Sequence, residues 1–235
     1  VNFRALTEPT LLGDDRELRI ELIADKAAGT LTIRDNGVGM TRDELIGNLG
    51  TIARSGSKKL MQSLSAEQKK DLTLIGQFGV GFYSAFLVAD AVTVISRKAG
   101  SDEAWQWTSQ AKGDFEVQKV ERKTRGTDVI LHLKDDAKEY LNEWPVREVV
   151  SKYSDYVRWP IRMEVERSAA DEKDKVAKKT EWITLNAARA LWTRSKSELD
   201  DAQYQEFYKA LSHDWQEPLA WTHFKVEGTH ELTGL

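Results

Sequence analysis

Apolar and polar residues alternate along 18–23, with Leu18, Ile20 and Leu22 in phase, and again along 30–34, with Leu31 and Ile33 in phase. A period of two belongs to a half-buried strand, and residues 25–29, ending in glycine, fit the turn of a hairpin between the two. After Met40 the period lengthens. Thr41 followed by Glu44 is the signature of a capping box, so a short helix is expected through Ile46 and Leu49, with Gly50 as its stop. Ser55-Gly56-Ser57 reads as a small-residue hinge, and 58–70 is polar and helix-prone. A second helix is expected over 78–86. Strand patterns follow at 92–97, 104–109, 115–120 and 127–134, then a helix over about 136–156 and a strand over 161–166. This order of elements predicts an α+β fold, a two-layer sandwich in which a mostly antiparallel sheet is covered by helices.

The pattern then changes. Residues 171–179 carry seven charges in nine positions, with no aromatic and no periodicity, and are expected to form a solvated linker. Tyr204, Phe207, Tyr208 and Leu211 return to helical spacing, with Asp200 as the expected cap. Trp215, Trp221 and Phe224 follow, and the chain ends at Leu235 in strand-like sequence. The expected organisation is a first domain over 1–167, a linker over 168–180, and the opening of a second α/β domain over 181–235. The last part is short for a core of its own. No internal repeat is visible.

Composition narrows the function classes. The chain has 235 residues, 40% hydrophobic and 31% charged, a balance that suits a globular domain. It has no cysteine, which excludes disulfides and thiolate metal sites and favours a reducing, cytoplasmic setting. No apolar run approaches the roughly 20 residues of a membrane helix, and no signal-peptide pattern opens the chain. It begins at Val1 rather than Met, which suggests a piece of a longer protein. A net charge of −4 counts against a nucleic-acid surface.

Three short stretches carry the candidate chemistry. Asp35-Asn36-Gly37-Val38-Gly39 lies where a strand ends. Asp-Asn-Gly is by itself a turn signal. The same residues also allow a buried carboxylate to accept a hydrogen bond from an exocyclic amine, while two glycines let the backbone approach a flat base. A carboxylate suits adenine, which offers an N–H donor where guanine offers a carbonyl. Gly76-Gln77-Phe78-Gly79-Val80-Gly81 runs directly into the expected helix, whose free N–H groups and dipole favour phosphate oxygens. It is neither a Walker loop nor a Rossmann fingerprint. Gly126-Thr127 opens a late strand, and alone it is no more than a strand start.

In this order and spacing the three stretches resemble the Bergerat ATP-binding fold, shared by type II topoisomerases, mismatch-repair ATPases, sensor histidine kinases and 90-kDa heat-shock chaperones. Asp35 to Thr41, Asn48 to Gly56 and Ile75 to Ala85 look like the last of these almost word for word. Leu191-Trp192-Thr193-Arg194, Glu206-Phe207-Tyr208-Lys209 and Val226-Glu227-Gly228 extend the resemblance to the bacterial chaperones over essentially the whole chain.

The resemblance implies roles residue by residue. Asp35 holds the adenine amine of ATP or ADP, assisted through ordered water by Gly39 and Thr127. Met40 and Phe82 line the base and ribose cavity, and Asn48 reaches the ribose or α-phosphate side. Arg54 stands where the family usually has lysine, and the two differ in shape. The backbone of Gly79, Val80, Gly81 and Phe82 cradles the phosphates, and residues 55–76 form a lid. Trp105 and Trp107 read as packing aromatics.

The family also carries a helix with a glutamate that activates water and, four residues on, an asparagine that helps hold Mg²⁺. Both are expected upstream of Val1, since Glu8 and Glu17 are the only glutamates ahead of the hairpin and neither has the matching asparagine. The resemblance therefore implies an ATP-dependent chaperone that binds unfolded or partly folded clients and is a homodimer in its intact form, with no nucleic-acid or membrane partner. The polypeptide as written is expected to hydrolyse ATP poorly. Three other readings stand beside this one: a Bergerat ATPase acting on DNA, a histidine kinase, and a non-catalytic nucleotide- or protein-binding module. The kinase reading lacks a suitable acceptor, because His132 falls in a strand and His213, His223 and His230 follow the linker.

Overall fold

The computed structural model describes residues 9–13, 15–50, 81–110, 112–168, 178–212, 214–226 and 232–235. β1 (Ile20–Asp25) and β2 (Thr30–Asp35) form the expected hairpin, paired antiparallel from Ile20 opposite Asp35 to Asp25 opposite Thr30. Its turn is built by the Asp25 carboxylate, which accepts hydrogen bonds from the N–H groups of Ala27 and Ala28, both at 2.9 Å.

The hairpin sits inside a larger sheet. β6 (Gly126–Leu133) pairs antiparallel with β2, and β3 (Ala89–Arg97), β4 (Ala104–Ser109) and β5 (Glu116–Val120) continue outward from it in that order. On the other side β7 (Ile161–Ser168) lies parallel to β1, and β8 (Lys178–Thr184) returns antiparallel to β7. The full order is β5-β4-β3-β6-β2-β1-β7-β8. The fold is thus α+β with a mostly antiparallel sheet, as the alternation predicts.

Side chains alternate between faces along each strand, and the register shows which residues share one. Leu31, Leu131, Val92, Val94 and Trp107 line a single face, onto which α1 (Arg42–Leu49) inserts Leu45 and Leu49. Leu45 keeps 0% of its surface exposed, a burial that contributes about 2 kcal/mol. A second cluster forms where α3 (Glu143–Tyr153) sets Val146 and Val150 against Leu22, Ile161, Met163 and Val165. α2 (Ala85–Val88), led by a 3₁₀ turn over Gly81–Ser84, packs on the first cluster through Ala85, Phe86 and Val88.

Two helices differ from expectation. The helix expected over 78–86 has its first three positions outside the described residues. The rest is the 3₁₀ turn and four α-helical residues, after which β3 begins. Lys134, leaving β6, explains why the helix stops at Val88, two residues past its expected end. Its Nζ donates to the carbonyls of Phe86 and Leu87 at 2.9 and 3.2 Å, and its N–H donates to that of Val88 at 2.9 Å. A cation and an N–H thus occupy the last carbonyls and turn the chain into strand. The helix expected over 136–156 divides into a 3₁₀ segment, Asp135–Leu141, and α3. Pro145 explains the break: it has no N–H to offer the Leu141 carbonyl, and its ring collides with a helical turn placed there.

The capping box is present. Glu44 N–H donates to Thr41 Oγ1 at 3.3 Å, and Thr41 N–H donates to Glu44 Oε2 at 2.9 Å. Lys98 Nζ adds bonds to both Glu44 oxygens at 2.5 and 2.7 Å, fastening the start of α1 to the end of β3. Burial by itself raises the Glu44 carboxyl, but its bonds from Lys98 and Thr41 outweigh that and hold it below its ordinary value of 4.5. A depressed carboxyl stabilises the fold fully above its unfolded value, and that contribution is lost as pH falls through the folded one. Glu44→Ala should cost about 1–2 kcal/mol in denaturant unfolding at neutral pH. The gap from wild type should shrink as the pH drops below 4.5.

The linker expected over 168–180 is shorter at both ends: β7 runs to Ser168, and β8 takes residues 178–184 into the main sheet, with Arg162 opposite Thr184. Its dense charge hides an alternating strand that carries Trp182 and Ile183. α4 (Asp201–Ser212) is capped as expected, the Asp200 carboxylate accepting from Gln203 N–H at 2.9 Å. Tyr204 on α4 is buried, stacked on Trp221 and bonded to His223 Nδ1 at 2.8 Å. β9 (Phe224–Val226) and β10 (Leu232–Gly234) form a separate two-stranded ribbon.

Candidate functional site

Asp35 is the last residue of β2, and Thr127 of β6 lies directly opposite it. By alternation the two share the helix-bearing face with Ile33 and Val129, the next pair along. Ile33 stays 37% exposed on an interior strand, so this end of the face opens as a cleft rather than closing as core.

Two glycines shape the floor. Gly39 adopts φ +64°, and a Cβ there would lie 1.9 Å from the Arg97 carbonyl oxygen. Gly126 adopts φ +114°, and a Cβ there would lie 2.1 Å from the carbonyl oxygen of Asp35. Only glycine combines these angles with such approaches. The loop after Asp35 is thereby laid across the end of β3, where Ala99 N–H donates to the Val38 carbonyl at 2.7 Å and Met40 N–H to Ser96 Oγ at 2.8 Å.

The Asp35 carboxylate accepts a 2.7 Å bond from Gly37 N–H. Burial raises its pKa above the ordinary 3.8, against the opposing pull of the Gly37 N–H, the Arg122 charge and the Thr127 N–H. Asn36, next in sequence, serves another purpose. Its side chain accepts from Arg19 N–H at 2.9 Å and donates to Asp15 Oδ2 and the Glu17 carbonyl at 3.0 and 2.7 Å, tying down the segment before β1.

Behind the floor Asp128 holds two cations. Arg34 reaches it in a two-pronged bond at 3.0 and 3.2 Å, and Arg122 at 2.6 Å. A cavity of about 310 Å³ beside this cluster is lined by paired charges, Arg19 with Asp15 and Glu21 among them, and also by Asp35, Asn36 and Thr124. By alternation Arg34 and Asp128 belong to the opposite face of the sheet from the cleft.

The remaining sequence-predicted residues fall around the cleft. Met40 is half-buried at the loop's end, and Asn48 Nδ2 on α1 lies 3.8 Å from its sulfur. Phe82 packs edge-on against Trp107, Tyr83 and Phe86, and Tyr83 Oη donates to the Leu49 carbonyl at 2.9 Å, joining the 3₁₀ turn to α1. Gly81 borders open space. Asp35, Gly39, Met40, Asn48 and Thr127 are therefore linked around one end of the sheet, while Phe82 packs on Trp107 of the core face. Arg54, Gly79, Val80 and the expected lid lie outside the described residues.

Sequence reasoning missed Ser96, which bonds the loop, Gly126 and Thr127 at once. The available signal was a serine in phase with Val92 and Val94 on a strand whose inward positions are otherwise apolar.

The described residues fit an adenine base, with a half-buried carboxylate at the floor and apolar walls at Ile33, Met40 and Val129. Among the described residues no group of three or more histidine or carboxylate side chains is placed to hold a metal ion. None of the described helices is long and apolar enough to cross a membrane.

Residues 14–139 match the family described as histidine kinase-, DNA gyrase B- and HSP90-like ATPase, and the chain belongs to that family; residues 164–235 match Hsp90 protein. Its full length is 55% identical to the chaperone protein HtpG of Myxococcus xanthus and 55% identical to that of Bordetella avium, and 52% identical to that of Pseudoalteromonas translucida. It spans 36%, 37% and 38% of the length of those relatives.

Proposed function

We propose that this chain is the nucleotide-binding part of an ATP-dependent molecular chaperone of the Hsp90 type. The observation that carries this reading is the Asp35–Thr127 pair on the cleft floor, with the Gly39 loop pressed against β3 beside it. Asp35 takes the adenine amine, Met40 and Phe82 wall the base and ribose, and Asn48 faces the sugar or α-phosphate. Arg54 and the backbone of Gly79, Val80 and Gly81 receive the phosphates, with Mg²⁺ bound alongside them. Nucleotide acts as a switch to the extent that the closed state binds it better than the open one. The sheet through Thr184 forms the nucleotide-binding unit, and the residues after it open the next domain. Unfolded clients, a homodimeric intact protein and a cytoplasmic setting follow from the likeness to the HtpG chaperones. Nucleic acid is not a partner on this reading, in keeping with the net charge of −4.

Calorimetry with ADP tests the reading. One-to-one binding that ATP displaces and GDP does not is the expected result, and the absence of ADP binding would sink it. Hydrolysis by these 235 residues alone should be slow. Glu8, Glu17 and Glu21 precede Asp35, and none has an asparagine four residues on. General-base assistance and metal positioning usually supply orders of magnitude in rate. Phosphate release at the rate of an intact HtpG chaperone would contradict this expectation.

A further inference from the structure

Ser96 has 0% of its surface exposed, and a buried hydroxyl requires partners. Its Oγ lies 2.8 Å from Met40 N, 2.9 Å from Thr127 Oγ1 and 3.2 Å from the Gly126 carbonyl oxygen. A serine hydroxyl has one proton and two lone pairs. Met40 N–H occupies one lone pair, and the Gly126 carbonyl is only an acceptor. All three contacts are made at once when Ser96 donates to Gly126 and accepts from both Met40 N–H and the Thr127 hydroxyl. Thr127 Oγ1 then has no proton left for the cleft and presents only lone pairs there, beside the carboxylate of Asp35. The floor becomes a pair of acceptors, matched to a base that carries N–H donors on its six-position and mismatched to one that carries oxygen.

We propose that Ser96 is a positioning residue that sets base selectivity without touching the nucleotide: it turns the Thr127 hydroxyl into an acceptor and holds the Asp35 loop in place through Met40 N–H. This rests on the adenine-nucleotide reading of the cleft. Removing the serine oxygen frees the Thr127 proton to point into the cleft, where it can donate to a six-oxo base. It also leaves the Met40 N–H without its acceptor.

The experiment compares ADP and inosine diphosphate, which differ at the six-position, by calorimetry on the full 235-residue chain. Ser96→Ala should weaken ADP about tenfold and narrow the ADP-to-inosine-diphosphate preference by a similar factor, whereas Ser96→Thr, which keeps the hydroxyl, should retain most of both. Thr127→Val covers the case in which Ser96→Ala fails to fold. It removes the oriented hydroxyl but leaves the Ser96–Met40 bond, and it should narrow the same preference. A general loosening of the fold weakens both nucleotides alike and leaves their ratio unchanged. That unchanged ratio, in whichever of the two variants folds, overturns the proposal while leaving the cleft reading intact. If the wild-type chain binds no ADP, the cleft reading fails first and this inference with it.

Discussion

Asp35→Asn should reduce ADP affinity by about two orders of magnitude or more while leaving the unliganded fold at least as stable as wild type. The first effect comes from hydrogen-bond chemistry. A carboxylate offers only acceptors, whereas an amide turned toward the cleft sets an N–H against the N–H of the base, and sites with a mispaired buried polar group discriminate strongly. The second comes from desolvation. Burial lifts the Asp35 carboxyl above its ordinary 3.8, so the folded chain holds its proton to higher pH than the unfolded chain does. An acid raised in this way makes stability fall as pH climbs above the unfolded value, and the neutral amide removes that cost. The same shift predicts that wild-type ADP affinity weakens on acidification at a higher pH than that at which an ordinary aspartate protonates. Calorimetry across pH and denaturant unfolding of both proteins check the two halves separately. Equal ADP binding by the two proteins at neutral pH would remove Asp35 from the site.

Gly39→Ala should be the most disruptive small substitution near the cleft, costing roughly 3 kcal/mol or more of folding stability. A left-handed φ of +64° is already unfavourable for alanine, by about 1–2 kcal/mol. The larger penalty is steric. The added methyl would sit 1.9 Å from the Arg97 carbonyl oxygen, which belongs to main chain and has no rotamer to escape into. Relief requires lifting the loop from β3, which breaks the Val38–Ala99 and Met40–Ser96 bonds together. Gly29→Ala is the matched control, because Gly29 is also left-handed, at φ +67°, but faces nothing within 4 Å. Thermal unfolding should show Gly39→Ala well below Gly29→Ala, and similar midpoints would show that the loop relaxes without cost.

Much of this arrangement could be read from the chain because its signals are local. The β1–β2 hairpin, the Thr41–Glu44 capping box and the Asp200 cap each depend on residues a few positions apart, and each appears as expected. The glycines of the Asp35 loop were legible as places where the backbone must come close, although not what it approaches, whereas Gly126 read only as a strand start. The divided helix around Pro145 was misread because apolar spacing continued across the proline, and periodicity outweighed the missing N–H. Ser96 and the Arg34–Asp128–Arg122 cluster were not legible, because each joins strands whose adjacency no local pattern encodes. Gly50 shows the same limit. It ends α1 with φ −84°, so its need for glycine is not left-handedness but space, since a Cβ there would lie 2.7 Å from the Phe115 ring.

The place of the β1–β2 hairpin in the middle of the sheet has a consequence for synthesis. Asp35 is made early, but its floor is completed by β6, and the bond from Arg34 to Asp128 joins residues 94 positions apart. β1 in turn meets β7, which begins only at Ile161. Pairings of such long range are slow to form and leave strand edges open until they do. A ribosome must therefore extrude the chain through β6 before the floor of the cleft exists. Until then the hairpin is a two-sided edge open to mispairing, and the emerging chain has the same need for protection that its HtpG relatives, by their name, meet in others.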